Sequence, residues 1–287
     1  MQQMRLTALL FVLAVAGSAC SGTAAEEATQ TGDDNVAGSV EKTTTTSPYS
    51  TTTTTTTLAP RFVPLLEEPP PFEEVTFTTE DDIELSAKYW RGGPIAVLAG
   101  HDFYTTADAS DGFEPRSSDT ELWWTGPIAN EGYTVLAPDF RGHGGSSGDV
   151  SVRNSPVDLK AAYEFLEAEG FDTIVMLGLV GSGTASVVLD AEDPDVEFAG
   201  IAMIWSAPQE VGLDAQRVLY GIDAPVFLVS FENVRLERWA KLMSDEIDDL
   251  YDLVIYSPAP DGMGFTDVYG EEFVGRLVDF VEYAAGV

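Results

Sequence analysis

The side chains that could support nucleophilic catalysis in this chain are the hydroxyl of Ser182 and the imidazoles of His101 and His143. A serine hydroxyl attacks a carbonyl carbon efficiently only when a neighbouring base takes its proton, and near neutral pH that base is usually a histidine. The chain has 2 histidines, and neither lies in its C-terminal third. The small number of histidines that could act as a base therefore restricts the chemistry that a serine could perform here.

Short apolar runs, each followed by room for a helix, predict the strands that would position these residues. The runs cover residues 95–99, 133–137, 174–177, 201–205, 226–229 and 253–256. Ahead of them, apolar residues alternate with polar ones on both sides of 80–82, which predicts an antiparallel hairpin. Together these patterns predict an α/β domain with a single doubly wound, mostly parallel sheet and an N-terminal antiparallel hairpin.

The helices of this domain have clear signals at two places. Ser155 followed by Pro156 predicts a helix start, and the helix should continue to residue 169. A second helix is predicted over 271–285, where apolar residues recur on one face. We also expect a short helix over about 213–220, which would leave no room for a large cap domain over the carboxyl ends of the strands.

The segment 139–148, with the sequence DFRGHGGSSG, follows one of the predicted strands. It resembles the D-x-R-G-H-G-x-S turn of the α/β-hydrolase superfamily, whose members include serine esterases and dienelactone hydrolases. The resemblance extends over about residues 73–285 in the order of the elements. It implies the α/β-hydrolase fold, and it implies a packing and hydrogen-bonding role for His143.

In that superfamily the attacking residue stands in a G-x-S-x-G turn between a strand and a helix. Residues 178–183 of this chain read GLVGSG, and alignment on Gly178 places Val180 at the nucleophile position. Valine has no atom that can attack. A shifted register would make Ser182 the nucleophile, but it would place Val180 and Thr184 where the tight turn needs small residues.

The other two triad positions implied by the resemblance carry unsuitable residues as well. The acid should follow the strand at 226–229, where Asn233 or Val234 aligns and Glu232 comes slightly early. The histidine should precede a glycine after the last strand, where Asp261 stands. No catalytic residue is therefore expected in this chain from the resemblance.

The sequence leaves two functions open. The first is a protein without catalytic activity whose cleft binds a small molecule or a peptide. The residues expected to line that cleft are His101, Asp102, Phe103, Val180, Gly181 and Asp261. The second is an active serine esterase with a rearranged site, in which His101 approaches Ser182 and an aspartate orients the imidazole. No cofactor or metal is expected, because the cysteine and histidine clusters of a zinc site and the ligand spacing of a calcium loop are both missing from the sequence.

The N-terminus predicts export. Arg5 precedes an apolar run over 6–16, and small residues lead to Cys20, the single cysteine. This pattern predicts a signal peptide over 1–19, too short for a stable membrane span. A small residue followed by cysteine resembles a bacterial lipoprotein signal, which implies a lipid anchor on Cys20 and a place on the outer face of a bacterial cell membrane. Ordinary secretion with a free thiol remains the alternative.

The composition of the chain predicts its domain organisation and excludes one class of partner. Residues 20–71 contain two runs of threonine and several prolines, which predicts a disordered tether before a single domain over 72–287. The net charge is −34, from 48 acidic and 14 basic residues. Such a surface repels polyanions, so we expect no nucleic-acid partner.

Overall fold

The computed structural model describes residues 61–66, 68–102, 122–258 and 263–287. The predicted signal peptide, Cys20 and most of the predicted tether lie outside the described residues. Phe103 and Asp261, which were expected to line a cleft, lie outside them as well.

Ten strands are present in the described part of the chain. Their bounds are β1 Glu73–Thr78, β2 Glu84–Trp90, β3 Ala96–Gly100, β4 Thr134–Pro138, β5 Ile174–Leu179, β6 Gly200–Ile204, β7 Gln209–Glu210, β8 Leu213–Asp214, β9 Val226–Phe231 and β10 Leu250–Tyr256. Eight of them form one sheet in the order β1-β2-β4-β3-β5-β6-β9-β10. The strands from β3 to β6 are buried at every residue, because helices cover both faces of the sheet.

The direction of the strands matches the prediction. β1 pairs antiparallel with β2, in a register that places Val75 opposite Ala87. β2 is also antiparallel to β4, and every other pair in this sheet is parallel. The predicted doubly wound, mostly parallel sheet with an N-terminal antiparallel hairpin is therefore confirmed.

Five α-helices lie among the described residues, and each covers one face of the sheet. Their bounds are α1 Thr125–Asn130, α2 Ser155–Ala168, α3 Gly181–Glu192, α4 Val234–Ser244 and α5 Phe265–Ala285. The helices α2 and α3 pack their apolar side chains into one core cluster, and α1 and α5 pack theirs into another on the opposite face. Each face of the sheet therefore has its own apolar core, formed by the strands and by the helices that cover that face.

Two predicted helices differ from the structure. Residues 213–220 do not form a helix: β7 and β8 pair as a short hairpin around Gly212, whose φ of +83° suits a glycine turn, and a 3₁₀ turn follows at Leu219–Gly221. The last helix begins at Phe265 rather than residue 271, because the Asp267 carboxylate accepts a hydrogen bond from the Gly264 N–H at 2.9 Å and caps the helix start.

The residues just before β1 lie against α5. Val63 is 2% exposed, and its N–H donates to the carbonyl oxygen of Glu271 at 3.0 Å. The guanidinium of Arg61 pairs with the carboxylate of Glu282 at 2.7 Å. This part of the segment predicted as a tether therefore contributes to the described fold.

Across the described ranges, no helix combines the length and the apolar character that a membrane span requires.

Candidate functional site

The turn between β5 and α3 has a constrained backbone. Val180, the residue between the two elements, has φ 53° and ψ −111°, a conformation that a β-branched side chain rarely adopts. Holding such a residue there costs about 1–3 kcal/mol, so the surrounding structure must impose it. A Cβ on Gly178 would come within 2.5 Å of the Gly183 backbone, so the strand and the helix approach too closely for any larger residue. The side chain at the apex of this turn is an isopropyl group, which has no polar atom.

Ser182 lies two residues after Val180, in the first turn of α3, and is fully buried. Its hydroxyl oxygen is 2.8 Å from the carbonyl oxygen of Gly100 and 2.9 Å from that of Leu179. Because a hydroxyl has a single proton, it donates to one of these acceptors or divides the bond between them. The hydroxyl therefore ties the end of β3 to the turn after β5, and it is closed off from solvent.

His101 follows β3 and is also fully buried. Its Nε2 accepts a hydrogen bond from the backbone N–H of Phe140 at 3.0 Å. The proton must then sit on Nδ1, which donates to the carbonyl oxygen of Asp102 at 2.7 Å. Burial lowers the pKa of His101 to about 4, against the opposing effect of the Asp102 carbonyl. The imidazole is therefore neutral near pH 7 with both nitrogens bonded to the main chain.

The turn at 139–148 is built around a buried ion pair. Arg141 binds Asp158 at 2.7 Å, with both side chains buried, and it also binds the more exposed Asp81 at 2.7 Å. The guanidinium of Arg141 also lowers the pKa of Asp81 to about 2 by hydrogen bonding to its carboxylate. His143 packs its ring edge-on to His101, with 4.9 Å between ring centroids. These contacts give the turn a structural role.

The two polar residues that follow β9 have ordinary structural partners. Asn233 is the N-cap of α4, and its side-chain oxygen accepts from the N–H of Arg235 at 3.0 Å. Glu232 is exposed, and its carboxylate accepts a hydrogen bond from the hydroxyl of Ser257 at 2.8 Å. The amide at 233 therefore holds the helix start, and Glu232 links the ends of β9 and β10.

Aromatic rings fill the carboxyl ends of β6, β9 and β10, a feature that the sequence analysis missed. Trp205 stacks on Phe231 with 4.6 Å between ring centroids, and Phe265 packs edge-on against both. The same apolar cluster includes Val180. The indole nitrogen of Trp205 is buried without a hydrogen-bond partner in the described part of the chain. An available signal was the aromatic residue at or just after the end of each of these strands.

The four described residues that were predicted to line a cleft lie at the carboxyl ends of the strands, but they offer little open surface. His101 and Gly181 are buried, Asp102 is 9% exposed, and only Val180 among these four is partly exposed. Among the described residues, no group of three or more histidine, cysteine, aspartate or glutamate side chains could hold a metal ion. The edge therefore presents apolar and aromatic side chains around a strained turn.

No protein-family model and no curated protein matches the sequence. Solved structures do match. An esterase from Pyrococcus furiosus is similar at 18% identity and TM-score 0.57, over 74% of this chain and 91% of that one. An esterase from Exiguobacterium antarcticum is similar at 13% identity and TM-score 0.59, over 73% and 100% of the two chains. An α/β-hydrolase from a Penicillium species reaches TM-score 0.62 at 14% identity, over 76% and 100%. The chain therefore has the α/β-hydrolase fold.

Proposed function

We propose that this protein is a membrane-anchored, extracytoplasmic lipoprotein in which an α/β-hydrolase fold carries no serine-hydrolase activity. The observation that supports this most directly is the turn after β5. Val180 occupies its strained apex, at φ 53° and ψ −111°, with an isopropyl group in place of a nucleophile. A protein that retains the strain at this turn without an attacking atom cannot form an acyl-enzyme there.

The environments of Ser182 and His101 also support the proposal. An acyl transfer through Ser182 would need its hydroxyl to leave two main-chain carbonyls and reach solvent, although the residue is fully buried. A base at His101 would need a free nitrogen lone pair, and its Nε2 already accepts a bond from Phe140. Each rearrangement would leave buried polar groups without hydrogen-bond partners, at a cost of about 1–3 kcal/mol per group.

An α/β-hydrolase fold without catalytic activity can still bind a ligand. We propose that the region outside the carboxyl ends of the strands binds a small molecule or a peptide. The aromatic residues at this edge are partly exposed and offer apolar surface. The likeness to esterases extends to the fold alone, and it brings no substrate to this chain.

Activity is tested on the full chain with p-nitrophenyl acetate and with a fluorophosphonate probe, beside the Ser182→Ala and His101→Ala variants. We expect no labelling, and hydrolysis equal to that of heat-denatured protein. Labelling or turnover that is present in the full chain and lost in either variant would refute the non-catalytic proposal and favour the rearranged esterase.

The anchor is tested separately, by expressing the chain in a bacterium fed with a radioactive fatty acid. We expect the label in the protein and the protein in the membrane fraction. Cys20→Ser should lose both. A Cys20→Ser variant that keeps its label and its membrane association would contradict the lipoprotein assignment, whatever the result of the activity tests.

A further inference from the structure

A groove of about 520 Å³ lies between α4 and the segment that follows β6. The residues lining it come from three parts of the chain: Pro208, Gln209, Gln216, Asn233, Val234, Arg235, Arg238, Trp239 and Leu242. The volume falls in the range of sites that bind small organic ligands. The groove is therefore large enough for a ligand and separate from the turn at Val180.

The charge of this groove is opposite to that of the protein. The chain has 48 acidic and 14 basic residues, yet the described lining of the groove contains Arg235 and Arg238 and no carboxylate. Neither arginine has a carboxylate within 4.0 Å among the described residues, whereas Lys241 on the same helix pairs with Glu237. Two guanidinium groups that have no carboxylate partner in the described part of the chain thus lie close together in an acidic protein, and such a pair attracts anions.

The arrangement around the two arginines favours an anion that also has an apolar part. The Arg235 guanidinium carbon lies 4.1 Å from the centroid of the Trp239 ring, and this contact orients the cation over an aromatic face. Val234 is 91% exposed and Leu242 is 40% exposed, so apolar side chains remain open at the groove. Guanidinium groups match the planar geometry of a carboxylate and can bind both of its oxygens.

We propose that this groove binds a small organic carboxylate with an apolar or aromatic body. The carboxylate contacts Arg235 and Arg238, and the body lies against Trp239 and Leu242. The site stands apart from Ser182 and His101, so it does not depend on whether the protein hydrolyses esters. The general negative charge of the surface repels anions, so a ligand of this groove must gain apolar contact as well as ion pairing.

The experiment is a titration of the full chain with 3-phenylpropionate at low ionic strength. Binding is measured by isothermal titration calorimetry and by ligand-observed NMR. The neutral amide 3-phenylpropionamide and inorganic phosphate are the matched probes, since each lacks one half of the proposed ligand. Arg235→Gln and Arg238→Gln remove one cation each. Arg153→Gln is the control, because Arg153 is also exposed and without an ion pair among the described residues, yet it lines a different groove.

We expect 3-phenylpropionate to bind, and each groove variant to weaken its binding by at least about fivefold while the control leaves it unchanged. The amide and the phosphate should bind at least about fivefold more weakly, and added salt should reduce the affinity. Since the three arginines are exposed, circular dichroism should show equal melting temperatures for all variants. Equal binding of the amide or of phosphate, an equal loss in Arg153→Gln, or absence of binding would each overturn the proposal.

Discussion

His101 allows a quantitative test of whether the structure leaves a base available for catalysis. Burial places its pKa at about 4 in the folded protein, against 6.5 for an ordinary histidine. As the pH falls from 6.5 to 4, the unfolded chain takes up a proton at this histidine and the folded protein does not. The free energy of unfolding is therefore unaffected by His101 above pH 6.5 and decreases over this interval. The loss amounts to about 2 kcal/mol at about pH 5 and about 3 kcal/mol at about pH 4.

The perturbation is His101→Gln, with urea unfolding measured at about pH 8 and about pH 5 for the variant and the parent protein. The substitution should destabilise the protein at the higher pH, because the buried N–H of Phe140 and the carbonyl of Asp102 lose a well-fitted partner. At the lower pH this cost should shrink by about 2 kcal/mol, since only the parent protein has an imidazole that resists protonation.

Nitrogen-15 NMR of the imidazole provides the direct measurement. The chain has 2 histidines, so comparison with His143→Gln assigns the imidazole signals of the parent protein, in which the titration is then followed. We expect the proton on Nδ1 and constant chemical shifts from about pH 8 to about pH 5.5, because the pKa lies well below that range. A titration midpoint between about 6 and 7.5, or a proton on Nε2, would refute the reasoning and restore His101 as a candidate base.

Two further predictions concern carboxylates. Burial raises the pKa of Asp190 from 3.8 to about 6, so the fold loses stability as the pH rises through this interval. Asp190→Asn should therefore raise the free energy of unfolding by up to about 3 kcal/mol near pH 7 and by about 1 kcal/mol near pH 4.5. Exposed Asp195→Asn is the control for urea unfolding at both pH values, and equal effects of the two variants would contradict the prediction. Asp158→Asn should cost about 3–5 kcal/mol, because it leaves the buried Arg141 guanidinium with the exposed Asp81 alone, whereas Asp81→Asn should cost less than about 1 kcal/mol. Equal midpoints for these last two variants in urea would show that burial does not govern the ion pair.

Much of the fold follows from local sequence patterns. The buried parallel strands read as short apolar runs, and the hairpin of β1 and β2 reads as alternation around 80–82. Ser155 and Pro156 mark the start of α2 in the sequence as in the structure. These features depend on neighbours within a few residues, so a sequence pattern can predict them. The hairpin at Gly212 was missed because its strands are only two residues long.

The sequence by itself determined which residue types reach the carboxyl edge of the sheet: a valine within GLVGSG, a serine two residues later, and a histidine after β3. Only the tertiary structure decided what these side chains can do. Ser182 bonds to Gly100, 82 residues away, and His101 accepts from Phe140, 39 residues away. The groove at Arg235 and Arg238 likewise depends on the segment after β6 lying beside α4. Contacts between distant segments determine the burial of Ser182 and His101 and the tautomer of His101. They also determine that the two arginines have no neighbouring carboxylate among the described residues, and no local pattern encodes these properties.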